Sequence, residues 1–137
     1  MTREPETLFR LLKSSIDRVM HDNPEMIPEV EEMTRTALFD PMFRQHVDDM
    51  LRSGDRAVKG FSTCDKTQVG IALTDLSTST AFETRALIEY NDRISPVAGQ
   101  VHFGHGSFGR AIPHVLGDKQ FELRRKMVRA LEECGCF

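Results

Sequence analysis

Three of the chain's five histidines, His102, His105 and His114, fall within Val101–His114, a stretch reading VHFGHGSFGRAIPH. Imidazole nitrogens at such spacing can ligate zinc or another transition metal, and Cys134 and Cys136 downstream would complete a soft tetrahedral set. The known zinc patterns do not appear. There is no H-E-x-x-H, no C-x2-C pair, and no carboxylate between the histidines to serve as a general base. The competing reading is a glycine-rich turn whose histidines face solvent. Within the same stretch Ser107 is placed to cap a short helix, whose free N–H groups, with Arg110 nearby, would hold a phosphate or carboxylate.

Gly104, Gly106 and Gly109 add a G-x-G-x-x-G spacing. GHGSFGRA resembles the glycine-rich loop of protein kinases, and the spacing also resembles the dinucleotide-binding fingerprint. The surroundings fit neither. A kinase loop needs a following strand with a lysine and then a catalytic loop, but only 28 residues follow Gly109. A dinucleotide fold needs a strand before the glycines and, after a helix, a second strand carrying an acid. Here Pro113 and a Lys/Arg-rich helical pattern follow instead. Nucleotide binding is therefore not expected.

Other reactive residue types are explained without chemistry. Cys64, in FSTCDKT, stands near an expected helix start where a thiolate is favoured. A half-buried cysteine in a connecting loop accounts for it more simply. The acids of PEVEEM (Glu29, Glu31, Glu32) occupy a helix's first turns, where they complement the dipole. The run RRKMVR sets Arg125, Lys126 and Arg129 opposite an apolar face, with Glu122 four residues before Lys126 and Glu133 four after Arg129. Interleaved acids of this kind predict a salt-bridged, solvated face, not a nucleic-acid track. The terminal CGCF lacks the aliphatic pair of a prenylation box.

These residues need a scaffold, and composition bounds it. The chain has 137 residues, 39% hydrophobic and 28% charged, which suits one soluble domain over 1–137 with a core of its own. Net charge is −3, giving no overall field toward nucleic acid or anionic lipid. It is unevenly spread: residues 1–55 hold 12 acids and 7 bases, a net of −5, and the remainder a net of +2. No apolar run is long enough for a membrane span, and the N-terminus lacks a leader's apolar core. A cytoplasmic protein is expected. Three cysteines suit a reducing compartment better than a disulfide scaffold.

Hydrophobic spacing supplies the elements. Leu8, Leu11, Leu12, Ile16, Val19 and Met20 make one stripe on a helix from Pro5 to His21. Pro28 opens the next helix, with Val30, Met33, Ala37 and Leu38 inward. In FDPMFRQHVDDMLRSG, Asp40 caps, Pro41 enters the first turn, Phe43, Val47, Met50 and Leu51 face the core, and Gly54 ends the helix. His46 lies off that stripe. TQVGIALTDL fits a strand by alternation, but Asp65 and Gln68 form a capping box and no partner strand is convincing, so a helix is preferred. Thr80 and Glu83 precede another helix, stopped at Ser95–Pro96. The last helix is expected from Asp118, with Leu123, Met127, Ala130 and Cys134 on one face and Phe121 and Val128 on its flank.

The sum is an all-α bundle of about six helices with a Gly/His-rich connector near 99–109. The alternative is α+β with short strands near 57–61, 68–74 and 100–103. Without a coherent catalytic constellation, the expected function is association with itself or with another protein, by burial of an apolar face of the first or last helix. Met20, Met26, Met33, Met42, Met50 and Met127 add support if they meet a partner, although core filling also explains them. The alternative is a small metal- or cofactor-binding protein using loop 102–114.

Overall fold

The computed structural model describes residues 2–75 and 107–135, and for 107–111 and 113 the backbone only. Helix α1 spans Pro5–Val19 and a single 3-10 turn spans Pro24–Met26. Helix α2 spans Ile27–Leu38 and α3 spans Pro41–Ser62. Residues 66–75 are helical (α4), and α5 spans Ser107–Cys134. The described residues hold five helices and no strand, so the all-α reading stands for them; the helix expected between Thr80 and Ser95 lies outside the described residues.

Local chemistry explains the starts. Pro5, Pro28 and Pro41 sit in first turns, where their missing N–H groups cost nothing. The Asp40 carboxylate accepts from the Phe43 N–H at 2.9 Å, and Asp65 accepts from Gln68 N–H at 3.0 Å. The Asp65–Gln68 capping pattern thus marks a real helix start. Strands at 57–61 and 68–74 are excluded because these residues lie inside α3 and α4, and the strand considered at 100–103 lies outside the described residues.

Helix α3 does not stop at Gly54 but runs two turns further. Gly54 is there for packing: a Cβ added to it would come within 2.8 Å of both Leu123 methyls on α5. Gly60 is constrained in the same way by Val69 of α4, whose side chain would lie 2.9 Å away. The true end of α3 is a Schellman turn, with Asp65 N–H bonded to Gly60 C=O and Cys64 N–H to Phe61 C=O. Cys64 holds the left-handed position, φ 58°, usually given to glycine.

The other boundary that differs is α5. A short proline-bearing helix and a separate helix from Asp118 were expected; instead one helix of 28 residues passes through Pro113 and Gly117. An interior proline costs about 3 kcal/mol in an isolated helix. Burial of Ile112, Val115 and Leu116 around it offsets that cost.

The core is formed where α5 lies along α3 and α1, with α2 closing it. Leu8, Leu12, Ile16, Val30, Leu38, Phe43, Met50 and Leu116 are almost wholly buried there. Thr34 is buried among them with its hydroxyl donating to Val30 C=O at 2.8 Å, so its polar atom is satisfied. Met20, Met50 and Met127 fill core space, and Met26 and Met33 pack against it. Most of the methionines therefore serve the core, which removes most of their support for a binding surface.

Candidate functional site

The expected ligand loop divides between what the structure describes and what it does not. His102 and His105 lie outside the described residues. Ser107 and Arg110 fall in the first turn of α5, and their side chains also lie outside the description. His114 is exposed on α5, so it belongs to a helix and not to a turn. Among the described residues no three or more His, Cys, Asp or Glu side chains gather as a metal site would require. Cys64 is exposed and engaged in a disulfide, so it is neither a thiolate nucleophile nor a half-buried loop cysteine. Cys134 is free, with its thiol donating to Leu131 C=O at 3.2 Å.

What the fold builds instead is a helix with two faces. Along α5, Ile112, Val115, Leu116, Leu123, Met127 and Ala130 are buried against α1 and α3. On the other side Phe121 is 59% exposed, Val128 54% and Leu131 39%, at helical spacing of seven and three residues. Arg124, Arg125 and Arg129 line a shallow groove of about 370 Å³ with Phe121, Val128 and Glu132. The Arg125 guanidinium stands over the Phe121 ring, 4.9 Å from its centre.

The acids expected to neutralise this basic run are only partly available. Glu122 turns toward the bundle, pairing with Lys119 and with Arg18 of α1 at 3.0 Å. Arg18 also donates to Asp118 at 2.8 and 3.0 Å, so this cluster clamps α1 to α5. Burial pushes the Glu122 carboxyl up, but the ammonium of Lys119 and the guanidinium of Arg18 outweigh it and hold it below the usual carboxylate range. The outer face thus keeps its arginines while losing Glu122 to the inner one.

A second exposed apolar residue stands at the α2–α3 corner. Phe39 is 70% exposed, the most open large hydrophobic side chain among the described residues, and half-exposed Met42 begins α3 beside it in sequence. Glu32 precedes Phe39 by seven residues and Asp49 follows Met42 by seven, both exposed. The corner belongs to the half of the chain with net charge −5.

Spacing did not reveal Asp48, which is buried with only 1% of its side chain accessible. It accepts from Arg3 Nε at 2.6 Å and from Arg52 Nε at 2.7 Å, tying the N-terminal segment to α3. Burial raises the Asp48 carboxyl, and the two guanidinium partners overcome this to hold it below its ordinary value. Arg52 four residues on was the available signal, but Arg3 comes from 45 residues away. Comparison with protein families, with curated proteins and with solved structures finds no match to this chain.

Proposed function

We propose that the protein works by association, presenting the outer face of α5 to an acidic, partly apolar surface, and that a second copy's α2–α3 corner supplies such a surface. The observation that carries this reading is the exposed Phe121–Val128–Leu131 stripe, set among three arginines on the longest of the described helices. Apolar side chains of this size gain about 1.5–3 kcal/mol each when buried. Among the described residues the three side chains stay exposed, so that gain is not taken up there.

Charge argues for a head-to-tail contact over a two-fold one. In an antiparallel pairing of two α5 stripes, arginines would oppose arginines, and like charges across an interface are costly. The Phe39 corner matches the apolar character of α5, and it lies in the half of the chain that carries a net charge of −5. A contact between different patches leaves one of each unsatisfied, so assemblies grow until a ring closes.

Three or four apolar anchors set against the entropy of association give a weak contact, with Kd about 10–100 µM. Light scattering from 1 µM to several hundred µM tests it. The mass-average should rise beyond that of one chain, less steeply at 500 mM NaCl because the rim charges are screened. Phe121→Glu should hold it at one chain. A wild-type protein that stays monomeric throughout would refute the self-association.

A further inference from the structure

A cleft of about 560 Å³ opens where the N-terminal segment, the last turns of α3 and the start of α4 meet. Its walls carry Arg3, Arg52, Arg56 and Lys59, against the acids Asp55 and Asp65. The Asp65 carboxylate is occupied capping α4 through Gln68 N–H. We infer that this cleft binds a multiply charged oxyanion, of the phosphate or polycarboxylate class.

Arg52, Arg56 and Lys59 stand at i, i+4 and i+7 on one helix. Arg52 is held by Asp48 four residues before it and Arg56 pairs with Asp75 of α4, which leaves Lys59 as the cation of this row with no ion pair among the described residues. Asp48 is the buried counter-charge in this region, and the bonds it draws from Arg3 and Arg52 come from their Nε atoms. The Arg3 Nη2 group is itself buried and has no hydrogen-bond partner. With its Nε held by Asp48, Arg3 offers the cleft the 28% of its side chain that stays accessible.

The remaining cations are loosely held. Arg56 reaches Asp75 at 3.5 Å with both side chains half-exposed, and Lys59 has no carboxylate partner among the described residues. Gly60 lets α4 approach the floor of the cleft, because a side chain there would meet Val69 and its backbone nitrogen. The site therefore combines a fixed guanidinium, anchored through Asp48, with two adjustable cations at the mouth. That combination suits a ligand with charge at more than one oxygen, and a single halide would leave most donors unmet.

Isothermal titration of the full chain with inorganic pyrophosphate and, separately, with citrate tests the assignment and separates the two ligand classes. Saturable one-to-one binding of either, weakened at least tenfold in Arg56→Ala/Lys59→Ala, is expected, and sodium chloride at equal ionic strength should give no such isotherm. The double variant changes exposed side chains only, and an unchanged thermal midpoint without ligand verifies its fold. No saturable heat with either anion up to 10-fold above roughly millimolar concentrations, or equal affinity in the double variant, would overturn the inference.

Discussion

Both faces of α5 carry apolar side chains, and these meet opposite fates. Leu116, Leu123 and Met127 are sealed against α1 and α3, whereas Phe121 and Val128, within five residues of Leu123, remain open to solvent. Polar partners divide the same way: Glu122 goes inward to Lys119 and Arg18, and Arg124, Arg125 and Arg129 stay outward. The inner face accounts for folding. No contact among the described residues covers the outer face, and an exposed apolar stripe of this kind is what the proposed association would use.

Substitutions along α5 should separate these roles sharply. The largest effect belongs to Leu123→Ala, which opens a cavity between α5 and Gly54 of α3. It should cost about 3 kcal/mol in chemical denaturation, an effect visible whatever the protein concentration. A loss below about 1 kcal/mol would mean that this packing is not closed in solution.

The inner polar clamp should matter less, and with a pH signature. Because the folded Glu122 carboxyl is held below its unfolded value, its contribution is complete above about pH 4.3, the ordinary glutamate value. It is lost as pH falls through the lower folded value. Asp48 acts in the same direction. Glu122→Gln should therefore cost about 1 kcal/mol at neutral pH and flatten the acid limb of the stability profile. Equal losses at pH 3 and pH 7 would contradict the clamp.

The smallest effect on stability is expected at Phe121→Ala, within about 0.5 kcal/mol of the parent at low protein concentration. A substantial loss there in dilute solution would show that the outer face serves the fold after all.

The sequence made some of this readable and hid the rest for physical reasons. Helix starts were legible because caps and first-turn prolines act over three or four residues, as at Asp40–Phe43 and Asp65–Gln68. Helix ends were not. Gly54 and Pro113 carry local signals to stop, and packing between segments far apart in the chain overrides both, at Gly54 against Leu123 and around Pro113 through buried Ile112, Val115 and Leu116. Phe121 and Val128 were placed on the flank of the last helix, but spacing alone could not say that the flank stays open. The basic run was read as neutralised because Glu122 is four residues from Lys126, whereas its partners Lys119 and Arg18 lie three residues and 104 residues away. Cys64 gave no local sign of its disulfide. The histidine loop that first suggested chemistry stays an expectation, since of its three histidines only His114 lies among the described residues.

The head-to-tail contact between α5 and the Phe39 corner is tested most directly by mixing two broken proteins. Phe121→Glu removes one patch and Phe39→Glu the other, so each alone should sediment as a single chain. A one-to-one mixture keeps one intact pair of patches, the α5 face of the Phe39 variant against the corner of the Phe121 variant. Sedimentation velocity of that mixture at several hundred µM should show a species of two chains and no larger. A mixture that stays at one chain, under conditions where the wild-type protein associates, would contradict the contact.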